Sequence, residues 1–309
     1  MQLDAAQLTR LISELRPAAP APEIFIHDTL GSTNDEVARL LAANQNPAAA
    51  KPPLASPSAL QPFSPSAFFS ARLLVADSPA PLVVIARRQT KGRGRFGRPW
   101  LSEPNGNLYI SFGFRPRVAP ARLQTFTLWM GVVLCDFLAA HMRAASHAPS
   151  IKWPNDIFFG ARKVAGLLTE ARAADGNIDT LVFGLGLNLK PPAAGWPPEL
   201  AATATSLAEQ SDGEIADADA NAFVAALIIR VLDAHTQLLE NPDATAAALA
   251  ALWQKYDHLR GKTITALSGN GTERITGVAD GIDNEGSLIL KMPDARVEKI
   301  RAGEVTIEK

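Results

Sequence analysis

Cysteine is almost absent from this chain of 309 residues. Its single thiol, Cys135, excludes an intrachain disulfide and any cysteine-based zinc site. Lying inside the apolar run Phe126 to Met142, that thiol reads as a core residue rather than a nucleophile. Net charge is equally scarce. With 30 basic and 31 acidic residues the balance is −1, so no global field draws the chain to nucleic acid or to an anionic membrane. A long uncharged hydrophobic run is missing too: the best stretch, FTLWMGVVLCDFLAAHM, carries Asp136 and falls short of the ~20 residues that cross a bilayer. The opening MQLDAAQLTRLISELR predicts a short amphipathic helix, not the apolar core of a targeting signal. These absences predict a soluble, cytoplasmic protein with no membrane partner. What is plentiful is core material, at 47% apolar residues, and the length sets an expectation of two domains.

After the opening helix, Ile24 to His27 predicts a strand. Ser32-Thr33-Asn34-Asp35 precedes EVARLLAAN, whose apolar residues recur at helical spacing, and these are residue types that cap helices. Residues 45–66 hold six prolines and one charge, Lys51, which predicts a mobile insertion. PLVVIA (81–86) reads as a strand, and Asn107 to Phe114 alternates as a half-buried strand does. Pro120 opens a helix running to about His141. Strand-like segments fill 150–190, and helices are expected near 216–240 and 243–256. From Gly261 on, four alternating runs are separated by Gly-Asn-Gly, Asp-Asn-Glu-Gly and Pro-Asp turns, the pattern of a small β-barrel.

The chemistry concentrates in the segment QTKGRGRFGRPW (89–100) and its approach. Arg87, Arg88, Lys91, Arg93, Arg95 and Arg98 fall within 12 residues, beside Gly92, Gly94 and Gly97 and without an acid. Glycines let backbone N–H groups approach phosphate oxygens, and guanidinium groups bind those oxygens bidentately. A solvated basic loop is the plainer alternative. Gly92 to Gly97 satisfies G-x-G-x-x-G literally, but bulky cations fill its variable positions and no Asp or Glu follows from Pro104 to Cys135 to hold a ribose. That dinucleotide reading is rejected. Lys152-Trp153-Pro154-Asn155-Asp156 predicts a rigid turn whose Asn and Asp could orient phosphate or metal-bound water. Taken alone it is equally a hairpin turn. Lys163 precedes Val164-Ala165-Gly166, where a snorkelling lysine is the plainer reading, and Gly184-Leu185-Gly186-Leu187-Asn188 ends a strand with two glycines that suggest close approach of a ligand or backbone.

Together these blocks resemble the biotin–protein ligases. The Ser-Thr-Asn helix start (32–34), Gln-x-x-Gly-Arg-Gly-Arg-x-Gly-Arg-x-Trp (89–100) and Lys-Trp-Pro-Asn-Asp (152–156) match that family's pattern. So do Arg-Lys-x-Ala-Gly-Leu-Leu-x-Glu (162–170) and Gly-x-Gly-x-Asn (184–188), all five in the family's order. Phe96 departs from it, since arginine is common there, and the Pro-rich insertion is a second departure.

The resemblance implies an α+β fold in which a mixed sheet flanked by helices forms a catalytic domain (1–259). A C-terminal SH3-like β-barrel follows (260–309). It implies an ATP- and Mg²⁺-dependent ligase that makes biotinyl-5′-adenylate, releases pyrophosphate, and transfers biotin to a lysine of a carboxylase's biotin carboxyl carrier domain. No redox cofactor is implied. Ser32, Thr33, Asn34 and Gln89 match ring-binding positions, and Arg93, Gly94 and Arg95 match the loop that closes over biotin and adenylate. Lys163, beside Gly166, matches the carboxylate contact, so Lys163, Arg93 and Arg95 carry the catalytic assignment. Arg98, Trp100, Asn155, Asp156 and Asn188 match positions about the nucleotide, with Asp156 the candidate for Mg²⁺. Six cations without an anion should leave the loop mobile until adenylate binds. Only residues 1–23 precede the first strand, so the expectation is the monofunctional type, without a DNA-binding helix-turn-helix domain. A homodimer is compatible with the pattern. A lipoate–protein ligase or octanoyltransferase is the enzymatic rival, and a nucleic-acid-binding module is the rival from another class.

Overall fold

The computed structural model describes residues 3–43, 80–103, 106–142, 145–211, 220–268 and 273–308; the insertion expected at 45–66 lies outside them. In chain order the elements are α1 (Ala5–Leu15), β1 (Glu23–His27), α2 (Thr33–Ala43), β2 (Leu82–Ala86), β3 (Asn107–Phe114) and α3 (Phe126–His141). Then come β4 (Pro149–Lys152), β5 (Asp156–Phe159), β6 (Arg162–Ala174), β7 (Asn177–Asn188), α4 (Pro198–Ala201), α5 (Leu207–Gln210), α6 (Ala220–Glu240) and α7 (Pro242–Tyr256). The last strands are β8 (Thr263–Ser268), β9 (Arg274–Ile282), β10 (Leu288–Lys291), β11 (Val297–Ile300) and β12 (Gly303–Ile307).

Seven strands form a mixed sheet in the order β1-β2-β3-β7-β6-β5-β4, parallel between β1 and β2 and antiparallel elsewhere. One face packs on α3 and α7, with α6 lying on α3 and α7. The other face is covered by α2 only over β2, β3 and β7, through a separate small core of Val37, Leu41, Leu82, Val84 and Val182. Among the described residues no helix packs on that second face over β6, β5 and β4. Because β3 is covered on both sides, all eight of its residues are buried, rather than alternating as expected.

The C-terminal strands form a five-stranded antiparallel sheet, β11-β10-β9-β8-β12. It sits against α3 and the Trp-Pro turn: the buried Trp153 indole donates to the Gly286 carbonyl at 3.0 Å, and Gly286 lies against Leu128. Residues of both sheets share one continuous core.

Two expectations are corrected here. The helix from Pro120 is interrupted: a short 3₁₀ turn (Pro120–Leu123), held by Arg122 to the Leu239 carbonyl at the end of α6, precedes α3. The segment Pro120–His141 and helix α6 are long and apolar enough to cross a membrane by length and composition. Asp136 on α3 instead accepts from Arg230 at 2.6 Å and Tyr256 at 2.9 Å, and burial between the sheet and neighbouring helices accounts for the apolar composition.

Candidate active site

The polar end of the site starts at α2. Thr33 and Asn34 were expected as caps, but they lie inside the first turn and turn their side chains to the sheet; with Ser32 they are about 5% exposed. Gln89 Oε1 accepts from the Thr33 backbone N–H at 2.8 Å and lies 3.1 Å from Thr33 Oγ1. Ser111 Oγ on β3 lies 2.7 Å from Thr33 Oγ1 and 2.6 Å from Asn34 Oδ1. Asn34 Nδ2 donates to Glu170 at 2.6 Å. Both amide orientations are thereby fixed by their partners. The oxygens Gln89 Oε1, Thr33 Oγ1, Ser111 Oγ and Asn34 Oδ1 then form a chain of three close contacts with only two hydroxyl protons to fill them. One contact is always acceptor against acceptor. This buried corner is short of one donor.

Strand register explains the glycines. Ser111, Gly184 and Leu168 form one cross-strand row, and Tyr109, Gly186, Gly166, Asp156 and Lys152 form the next. A Cβ on Gly184 would stand 2.2 Å from Asn34 Oδ1. On Gly166 and Gly186 it would meet the Trp100 ring at 2.8 and 2.7 Å. The two glycines are a floor for that indole, whose buried Nε1 has no hydrogen-bond partner. The loop folds back on itself to place it: Gly94 N–H donates to the Arg98 carbonyl at 2.8 Å and Trp100 N–H to the Gly92 carbonyl at 3.0 Å. At the tip, Phe96 (φ 55°) and Gly97 (φ 71°) take left-handed backbone, and the Phe96 ring is 63% exposed under the Arg95 guanidinium.

Three of the six cations, Arg87, Arg93 and Arg98, have a carboxylate within 4.0 Å, where the expectation was that a ligand supplies the counter-charge. Arg93 donates to Asp35 at 2.8 Å and to Glu170 at 3.0 Å, and it approaches Ser32 Oγ at 3.3 Å. Hydrogen bonding to Asp35, then to Glu170, pushes its pKa up against the opposing effect of burial. Arg98 pairs with Glu304 on β12, tying loop to barrel. Arg95 is half-buried, and burial lowers its pKa while the charges of Glu304 and Asp156 oppose the shift. A cleft of about 230 Å³ lies at this junction, between Arg95, the Trp153–Asn155 turn, Leu168 and the barrel's Ser287 and Arg301.

Lys163 lies across the glycine floor, with Nζ 5.1 Å from the Trp100 ring and 2.7 Å from Asp156 Oδ1. Its backbone is pinned to Thr203 and Thr205 by bonds of 2.7 and 2.9 Å. The Asp156 carboxylate expected to hold Mg²⁺ is thus engaged by a lysine. Among the described residues no group of three His, Cys, Asp or Glu converges as a metal site. A divalent ion here would depend on the phosphates of a nucleotide, with Asp156 as its one protein carboxylate. Asn155 Nδ2 donates to the Leu167 carbonyl at 2.7 Å, and buried Asn188 Nδ2 to the Thr205 carbonyl at 3.0 Å. Both amide nitrogens hold backbone, and neither bond uses the Oδ1.

Two family models match the chain: the biotin/lipoate A/B protein ligase family over residues 61–188, and the biotin protein ligase C terminal domain over residues 260–307. A biotin–[acetyl-CoA-carboxylase] ligase of Paracoccus denitrificans is 30% identical over 222 residues, 72% of this chain and 88% of that one. The chain belongs to the biotin protein ligase family. The bifunctional ligase/repressor BirA of Bacillus spizizenii is 31% identical over 231 residues, 75% of this chain and 67% of the relative. The fold is that of biotin protein ligase from Aquifex aeolicus in complex with biotin and ATP. Its TM-score is 0.63, covering 93% of this chain and 99% of the other at 23% identity.

In this chain the five blocks bring Asn34, Trp100, Asp156, Lys163 and Gly184 to one face of the seven-stranded sheet. Sequence reading passed over two members of the cluster. Ser111 gave no motif, being one hydroxyl in an apolar strand, although a fully buried serine must find partners. Glu170 closed the fourth block but received no role; it holds Asn34 and Arg93 together.

Proposed function

We infer that this chain is an ATP-dependent biotin–protein ligase that forms biotinyl-5′-adenylate with release of pyrophosphate. It then transfers biotin to a lysine of a biotin carboxyl carrier domain, releasing AMP. The observation that carries the reading is the missing donor among Gln89, Thr33, Ser111 and Asn34. A ureido ring brings two N–H donors and one carbonyl on a compact frame. One N–H inserted into this oxygen chain removes its acceptor–acceptor contact, and the Ser32 hydroxyl or Arg93 lies near enough to serve the ureido oxygen. A dithiolane ring, as in lipoate, has no donor to offer.

From that corner the glycine floor leads to Lys163, which can hold the biotin carboxylate and the α-phosphate against their mutual repulsion. Arg95 reaches the same place, and its lowered pKa marks a charge that an anion would stabilise. Trp100 offers a ring face to an adenine, with Arg98, Asn155 and Asn188 about it. Gly94 lets the loop turn beside the ligand. Mg²⁺ accompanies the nucleotide in this reading; the donor set does not make a resident metal site, and Asp156 is better placed as the partner of Lys163.

The division into a catalytic domain (1–259) and a barrel (260–309) is supported by two sheets that share no strand. Helix α1 is not a free DNA-reading helix, because it packs Leu8 and Ile12 against α6 and β1. A homodimer would have the outer edge of β1 available for pairing. A cytoplasmic setting suits the buried thiol of Cys135.

The test is pyrophosphate release with ATP and Mg²⁺, with biotin or lipoate added in turn, followed by transfer to a carboxylase carrier domain. Release with biotin alone and label on one carrier lysine is expected. Equal or greater release with lipoate would overturn the assignment.

A further inference from the structure

The row of side chains that carries the glycine floor runs on past β6, and Lys163 lies in the neighbouring row, opposite Phe158. The floor row continues from Gly166 through Asp156 to Lys152 at the far edge of the sheet, and Ser150 and Phe158 stand in the neighbouring row. Lys152 Nζ lies 5.9 Å from the Phe158 ring centroid, and the other occupant of that ring is His258, stacked at 4.7 Å and 26°. His258 enters from the link between α7 and the barrel. Its backbone N–H donates to the Ile151 carbonyl at 2.9 Å, its Nδ1 lies 3.0 Å from Ser150 Oγ, and its Nε2 lies 3.3 Å from Lys262 Nζ. A lysine only donates, so Nε2 accepts and Nδ1 carries the proton towards Ser150. Neutral histidine therefore fixes Lys262 without cancelling its charge.

Lys152, His258 and Lys262 are all half-buried. Among the described residues no carboxylate is hydrogen-bonded to Lys152 or Lys262. Asp156 and Glu304 attract Lys152 from further off, Asp257 attracts Lys262, and Lys163 and Lys262 repel Lys152. Burial is the main influence on both, and it lowers both lysines from their usual range. Two half-buried cations that attract nearby carboxylates without pairing with them favour an anion beside them.

The direction of the chemistry says which anion. In adenylate formation a biotin carboxylate oxygen bonds to the α-phosphorus. The bond from that phosphorus to the oxygen bridging to the β-phosphate breaks, and its electron pair leaves with pyrophosphate on the opposite side. With the ring corner over β3 and β7 and the carboxylate at Lys163 on β6, the leaving group points on towards β5 and β4. Lys152 is two strand spacings beyond β6, roughly 10 Å. We propose that Lys152 and Lys262, spaced by Phe158 and His258, form the subsite that receives the pyrophosphate leaving group. The subsite joins a sheet lysine to a lysine at the start of the barrel, so nucleotide activation depends on the two parts being docked.

This rests on the ligase reading, and the experiment separates the two. Biotinyl-adenylate is supplied to the full chain, and two reactions are followed: pyrophosphorolysis to ATP and biotin, and transfer to a carrier domain, in which pyrophosphate takes no part. A wild-type chain that performs neither overturns both the ligase reading and the subsite. In an active chain, Lys152→Met and Lys262→Met should each raise the KM for pyrophosphate by ~10-fold, the size of one charge-assisted contact. Lys262→Arg should restore it, and transfer from supplied adenylate should stay at the wild-type rate. An unchanged pyrophosphate KM in both methionine variants overturns the subsite. So does an equal loss in both reactions, which would mark the lysines as structural.

Discussion

Gly184 has no room for a methyl group, and the reason is steric rather than conformational. Its Cβ would stand 2.2 Å from Asn34 Oδ1, so Asn34 must move and its bonds to Ser111 and Glu170 must break. Gly184→Ala should weaken biotin binding by ~10-fold or more, about 1.4 kcal/mol. Gly176 is the matched control: at φ 78° with nothing nearby, Gly176→Ala should cost about 1 kcal/mol of stability and leave biotin affinity alone. Calorimetric titration and denaturant unfolding on both variants check the contrast. Lys163→Ala should slow adenylate formation by ~100-fold, on the order of 3 kcal/mol of charge stabilisation, as read by pyrophosphate release in the first turnover. Near-normal synthesis would remove Lys163 from the catalytic role. At this scale the sequence displays residue types more readily than partnerships. Lys163 and Asp156 are seven residues apart, whereas Asn34 meets Glu170 and Ser111 only through the sheet, at separations of 136 and 77 residues. Asn155 and Asn188 illustrate the converse: each fits a ligand-contacting motif, yet each amide is tied to backbone.

Among the elements, the basic loop is, on the proposed function, the one that retains the reactive product. Arg95 stands half-buried between the glycine floor and the barrel, within the field of Asp156 and Glu304. Arg95→Gly removes a cation that can hold the phosphate of the adenylate while leaving Lys163 in place. The variant should therefore release biotinyl-adenylate faster with a smaller effect on its synthesis, and bystander lysines should be acylated. A filter-binding assay of adenylate dissociation against pyrophosphate release measures the split; unchanged dissociation would show that Arg95 is no clamp. The loop also marks where element-level reading failed. Six cations with no local acid looked uncompensated, but Asp35 and Glu170 reach Arg93 from α2 and β6, and Glu304 reaches Arg98 from β12. Long periodic elements were legible: α1, α6, α7 and the barrel strands fall close to their expected positions. Helices α4 and α5, at four residues each, are too short to show a helical period, and β3 concealed its double burial because small and polar residues on one face pack against α2 and the site.

Across the whole molecule the two sheets share one core, so the acid sensitivity of any buried group in it bears on the entire fold. His235 on α6 is such a group. Its ring lies face to face with Phe114 at 3.9 Å and edge-on to Phe126 at 6.4 Å, and its Nε2 is buried without a hydrogen-bond partner. Burial alone pushes its pKa down to about 3. Folding thus favours the neutral ring. Above the unfolded value of about 6.5 both states are neutral and His235 costs nothing; as pH falls below it, only the unfolded chain takes up the proton, and stability declines until the folded ring protonates too. At pH 5 the loss from this one group is about 2 kcal/mol. His258, held down to about 4 by burial and then by Lys262 and Lys152, acts in the same direction more weakly because it is partly exposed. Denaturant unfolding at pH 7.5 and pH 5 should therefore show a clear fall for the natural chain. His235→Leu should lower stability at neutral pH through imperfect packing yet shrink the fall by about 2 kcal/mol. A variant whose pH dependence matched the natural chain would mean that His235 protonates equally in both states, and that the core admits water at α6.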